Sequence, residues 1–149
     1  MSLLLIDPES QRLNRDELLI TVAFLIAMAA TLGALFIGEV LGQMPCTLCW
    51  YQRIAMFPLV PILGLSLWRG DGMARPYSLT LTLAGMALAI WHSGLYAGWI
   101  PQSVAPCTRD GPSCTDQAQA ILSIPIPYLS LIAFSAILIC LILPKGNRL

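Results

Sequence analysis

Pro45-Cys46-Thr47-Leu48-Cys49-Trp50-Tyr51-Gln52-Arg53 runs without interruption into the charge-free stretch Ile54–Trp68. Two cysteines, with two residues between them, thus stand at the mouth of an apolar run. The run alone has 15 residues, about 22 Å of helix at ~1.5 Å per residue. A bilayer core asks for about 20 apolar residues. Counting from Cys49 makes the segment long enough and puts Gln52 and Arg53 in its first turn, where an arginine reaches back to the interface. The segment reads as a membrane span with a cysteine pair at its threshold.

The rest of the chain fits that reading. Apolar residues make up 57% of the 149 and charged residues 11%, with a mean hydropathy of +0.76. Soluble domains carry about 25% charged residues. Leu18–Ile37, Tyr77–Trp99 and Ile124–Leu143 hold no Asp, Glu, Lys or Arg. Pro125 and Pro127 suit the start of the last one. We therefore expect an all-α membrane protein, a four-transmembrane-helix bundle. Its spans are about 18–37, 49–68, 77–99 and 124–143, in one integral membrane domain covering residues 1–149. A short interfacial helix is expected near Thr115–Leu122 in the second outer loop. Residues 8–13 read as partly helical, and no cleavable signal peptide is expected.

Charge sets the orientation. Arg12, Arg15, Arg69, Arg75, Lys145 and Arg148 fall on one side, Arg109 and the borderline Arg53 on the other. Basic residues favour the cytoplasm. Both termini are expected there, with loops 38–48 and 100–123 facing outward. The net charge is zero and no basic patch points to nucleic acid. The partners implied are membrane lipid and whatever meets the outer cysteines.

Four of the five cysteines, Cys46, Cys49, Cys107 and Cys114, lie on the outer side, where disulfides persist. Cys140 lies inside the fourth span and reads as a small buried residue. Two structural staples are one interpretation of the outer four. Both loops are short, however, and a short loop gains little from closure, whereas short-loop bonds in mobile segments suit exchange. Zinc would need all four thiolates, and six residues rather than two to four separate Cys107 from Cys114; no metal is expected. The helix is expected to begin near Cys49, where unpaired N–H groups favour a thiolate. Arg53 follows on the same face and adds to that. His92, the only histidine, sits about two turns inside the third span. It is either a hydrogen-bonded ring, with Tyr96 as its expected neighbour, or a donor to a ligand. Ala29, Ala30, Gly33, Ala34 and the Gly94–Gly98 pair read as close helix packing.

Pro45–Arg53, with the second cysteine pair between spans three and four, resembles the disulfide bond formation protein B family, including its shorter BdbC-like members. The resemblance covers the whole chain. It implies an enzyme, a quinone-dependent oxidoreductase of the bacterial inner membrane, with its redox cysteines on the periplasmic side. It implies a DsbA-like thioredoxin-fold partner that arrives reduced and attacks the second pair, at Cys107. Cys114 then attacks Cys46, and Cys49 is displaced beside a quinone, ubiquinone or menaquinone. Arg53 and His92 match the family's quinone-side arginine and histidine. Vitamin K epoxide reductase-like proteins also pair a four-helix bundle with a CxxC, but in a late span. A disulfide-stapled scaffold and a metal-binding membrane protein are the remaining alternatives.

Overall fold

The computed structural model describes residues 8–70, 72–104, 112–115, 120–121 and 124–143, without the side chains of 8–14 and 120–121. Five α-helices carry the fold: α1 (Pro8–Leu35), α2 (Thr47–Met56), α3 (Leu59–Arg69), α4 (Ala74–Tyr96) and α5 (Ile126–Ile142). A π-helical segment, Phe36–Val40, continues α1. α2 and α3 form one span, Thr47–Arg69, with the turn at Phe57–Pro58 between them. Pro58 has no N–H to give the ladder and its ring crowds the preceding turn. Val60 N–H accordingly bonds Phe57 O in a tighter turn.

Among the described residues three segments are long and apolar enough to cross a membrane: Arg15–Val40, Thr47–Arg69 and Ala74–Tyr96. α5 is apolar throughout but shorter, at 17 residues. The expected bounds shift by a few residues for local reasons. α4 takes Arg75 and Pro76 into its first turn, where a proline's missing N–H costs nothing. It ends at Tyr96 because Gly98 adopts a left-handed φ of 76°. Gly98 N–H bonds Leu95 O and Trp99 N–H bonds Gly94 O, closing the helix end.

α1 packs on α3 and α5, and α4 packs on α5, α2 and α3. Their shared core holds Ala23, Ala27, Leu59, Leu63, Ala89, Phe134 and Ile137. The tightest approach is α4 to α5, where Phe134 lies against Gly85. At the other end Arg75 ties the two helices together. Its Nε donates to Leu141 O and its NH2 to Leu143 O, both at 2.7 Å. A cation thus satisfies carbonyls that the end of α5 leaves open.

Three expectations are corrected. Ala120–Ile121, inside the expected interfacial helix, is extended and pairs antiparallel with Ile124–Pro125. The residue before a proline disfavours the helical region, which accounts for Ile124. Residues 116–119 and 122–123 lie outside the described residues. Gly94 packs against Ile100 of its own following loop, and Gly98 ends α4, so this pair forms a helix terminus and not a helix–helix seam. Of the small residues in α1, Gly33 meets nothing within 4 Å of a built Cβ. Ala29, Ala30, Gly33 and Ala34 line a cavity, and Ala30 alone of them also packs against the helix core.

Candidate active site

Pro45 leads the chain into α2, and Cys46 takes the N-cap position with an extended backbone (φ −68°, ψ 168°). Its sulfur accepts the Cys49 N–H at 3.4 Å, the role an oxygen usually plays at a helix start. The helix therefore begins at Thr47, two residues ahead of the expected start. Cys49 lies inside the first turn, and the two sulfurs stand 2.9 Å apart in hydrogen-bonding contact. His92 of α4 is fully buried and brings Nε2 to 3.9 Å from Cys46 Sγ.

The contact between the two sulfurs favours the negative charge on Cys46. The reading from spacing gave it to Cys49, through the helix N-terminus and Arg53. In the fold the Cys46 thiol is pushed down to about 4 from an ordinary 9.0. The hydrogen bond from Cys49 is the main cause, burial opposes it, and His92 and the Cys49 backbone N–H add to it. Arg53 lines the same cavity as Cys49 but makes its hydrogen bond to α1. Its NH2 donates to Ala34 O at 2.9 Å, where α1 passes into the π segment. Its guanidinium sits 5.5 Å from the Trp50 ring centroid. Gly38, in the π segment, makes room: a Cβ there would stand 3.3 Å from both terminal nitrogens.

The sign of the pH effect follows. Between pH 4 and 9 the unfolded reduced chain holds a proton on Cys46 that the folded one lacks, so stability of the reduced protein rises with pH across that window. Thiolate absorbance of the reduced protein should persist on acidification and vanish only near pH 4, and Cys46→Ser should remove it. Loss of that absorbance near pH 9 in the parent would contradict the arrangement.

His92 does not meet Tyr96, whose ring instead packs edge-on against Tyr128 at 5.7 Å. His92 Nδ1 faces Gln52 Nε2 at 3.3 Å, and Nε2 faces Cys114 O at 3.0 Å. Cys114 is disulfide-bonded and 3% exposed, in one buried cluster with Cys46, Leu48, Cys49 and Leu95. Cys107 lies outside the described residues. Cys140 is buried far along α5 in the helix core.

On the other side of Cys49 is a cavity of about 490 Å³ lined by α1, α2 and α5. Cys49, Gln52, Arg53 and Gln43 line it; Cys46 and His92 do not. His92, expected next to a ligand with Arg53, thus stands behind Gln52. Gln52 and Gln43 were not singled out from the sequence. Gln52 did carry a signal, three residues after Cys49 and so on its face.

These are the parts of a thiol–disulfide exchange centre. A model of the family described as Disulfide bond formation protein DsbB matches residues 16–144. The chain belongs to this family. The DsbB-family chain is 47% identical over 138 residues to a "Probable disulfide formation protein" of Metapseudomonas resinovorans, covering 92% of this chain and 94% of that one. It is 36% identical over 128 residues to "Disulfide bond formation protein C" of Bacillus subtilis (strain 168), covering 85% and 91%. A "Probable disulfide formation protein" of Deinococcus radiodurans is 39% identical over 142 residues, with coverage of 89% and 92%. No solved structure matches. Membership makes the chain a membrane oxidoreductase of disulfide bond formation.

Cys46 Sγ, Cys49 Sγ and His92 Nε2 all lie within 4.8 Å of one another, a grouping a soft metal ion would also accept. The Nε2 that a metal would need faces the Cys114 carbonyl at hydrogen-bond distance.

Proposed function

We propose that this DsbB-family chain is a thiol:quinone oxidoreductase of the bacterial inner membrane. It reoxidises a DsbA-like thioredoxin-fold partner and so supports disulfide formation in exported proteins. One observation carries the reading: the two sulfurs of one CxxC open to different sides. Cys46 packs with Cys114 and His92, while Cys49 lines the cavity with Arg53.

The cavity suits a quinone. Its volume lies within the ~300–1,000 Å³ usual for small-molecule sites. Its walls are mostly apolar, with an amide, a guanidinium and a thiol supplied by the α2 side. The Gln43 side-chain oxygen is buried without a hydrogen-bond partner among the described residues, an acceptor suited to a quinol hydroxyl. A bound ubiquinone or menaquinone supplies an acceptor for two electrons.

The chain's own residues do the rest. The partner's thiolate attacks Cys107, its bond to Cys114 breaks, and Cys114 leaves as a thiolate. Cys114 attacks Cys46, and the Cys46–Cys49 bond breaks. Cys49 takes up the electron pair at the cavity wall. Arg53 offsets that charge from a position fixed by Ala34 O and Trp50. The four cysteines are catalytic and Arg53 is quinone-binding in this scheme.

Four spans complete it, α5 serving as the fourth. Arg75 joins the start of α4 to the end of α5, so these two ends share one side. With Arg69 they mark it as cytoplasmic. The cysteines then face the periplasm.

Purified protein given reduced partner and ubiquinone should bleach the quinone's ultraviolet absorbance. No partner-dependent bleaching with quinone loaded refutes the reading. Arg53→Ala should raise the apparent quinone KM about tenfold, as loss of one charge-assisted contact implies, and leave the partner's KM near its parent value. An unchanged quinone KM would remove Arg53 from the site.

A further inference from the structure

The hydrogen bonds that link Leu88 O, Gln52, His92 and Cys114 O fit one protonation pattern of the His92 ring. Gln52 Nε2 lies 3.4 Å from Leu88 O and 3.3 Å from His92 Nδ1. A carbonyl oxygen only accepts, so the amide nitrogen must face it. Turning the amide over would set two oxygens against each other. The same nitrogen then donates to Nδ1, which must present its lone pair. A neutral ring with a bare Nδ1 carries its hydrogen on Nε2. That N–H meets a second pure acceptor, Cys114 O, at 3.0 Å. Donation thus runs outward from Gln52, on one branch to Leu88 O of α4 and on the other through His92 to Cys114 O in the outer loop.

The last bond holds a backbone atom. Cys114 belongs to a segment with no regular secondary structure, and the His92 ring reaches its carbonyl. Holding the carbonyl fixes where the Cys114 sulfur starts and lets its bonding partner change. Cys46, the atom to be attacked, packs in the same buried cluster and lies 3.9 Å from the same Nε2.

We propose that Gln52 and His92 are positioning residues for exchange between the two cysteine pairs: Gln52 fixes the Nε2–H form of His92, and that N–H seats Cys114 beside Cys46. The inference rests on the proposed relay. In the step it serves, the Cys114 thiolate forms a bond to Cys46 Sγ as the Cys46–Cys49 bond breaks. The electron pair leaves on Cys49 Sγ, and the negative charge passes from Cys114 to Cys49. Attack of this kind depends on approach and alignment as much as on thiolate fraction.

The test follows one step. Quinone-loaded full-length protein is mixed with reduced DsbA-type partner, quenched by alkylation at intervals, and its disulfides are mapped by mass spectrometry. Reduction of the Cys107–Cys114 bond and appearance of the Cys46–Cys114 bond are timed separately. Gln52→Met and His92→Leu should slow the second event about tenfold or more and leave the first near the parent rate. His92→Gln is the discriminating variant. Its amide can accept from Gln52 and donate to Cys114 O, with no group that titrates, and it should recover most of the parent rate. Three results overturn the proposal: parent-like exchange in Gln52→Met and His92→Leu, His92→Gln as slow as His92→Leu, or equal slowing of both events. If the parent itself forms no Cys46–Cys114 bond and reduces no quinone, the proposed relay has failed, not its positioning.

Discussion

Cys49→Ser is expected to lower partner-driven quinone reduction by about a thousandfold or more, the scale on which loss of a covalent catalytic group reads out. Cys49 is the cysteine that lines the cavity, and a serine hydroxyl cannot cycle between thiol and disulfide. The variant should still use Cys46. With its thiolate stabilised at the start of α2, Cys46 should capture Cys114 from the outer disulfide. A Cys46–Cys114 bond then accumulates and Cys107 is released as a thiol. Peptide mapping detects that bond. Cys140→Ser, in the helix core, should keep near-parent turnover. Substantial quinone reduction by Cys49→Ser would contradict the division of labour between the sulfurs.

Gly85→Val should be the most damaging substitution remote from the sulfurs. A Cβ at Gly85 would overlap three ring atoms of Phe134, which is itself fully buried. A ring wedged between α4 and α5 has no room to give, since Ala89 and Ile137 fill the same core. Overpacking of this kind costs about 1–3 kcal/mol and sometimes more. The thermal midpoint in detergent should fall clearly, and quinone reduction should be lost at temperatures the parent tolerates. Phe134→Ala opens space beside Gly85, so Gly85→Val combined with it should be less destabilised than the sum of the two single changes. An unchanged midpoint for Gly85→Val would mean that α4 and α5 do not meet there.

The long apolar helices were legible because such a helix announces itself by length and lack of charge. Leu18–Ile37 and Tyr77–Trp99 needed no other information. The nearness of Arg53 to Cys49 was also legible, since it follows by one turn and both line the same cavity. What failed were details set by contacts between distant segments. The helix start moved because a sulfur served as its cap, which spacing does not reveal. Arg53 turned to Ala34 O because α1 passes into a π segment there, and the composition of Phe36–Val40 does not signal that switch. His92 found Gln52 and Cys114 O, 40 and 22 residues away, in place of its neighbour Tyr96. The alanines and glycine of α1 suited both a tight seam and a cavity wall, and only the position of α5 decided between them.

The most direct test of the relay counts electrons. Reduced DsbA-type partner is added in small known amounts to purified, quinone-supplemented protein, and partner disulfide and quinol are measured in the same samples. The relay predicts one quinol for each partner disulfide, with quinol formation abolished by Cys49→Ser. Partner oxidation without matching quinol, or neither product from correctly loaded parent protein, would contradict it.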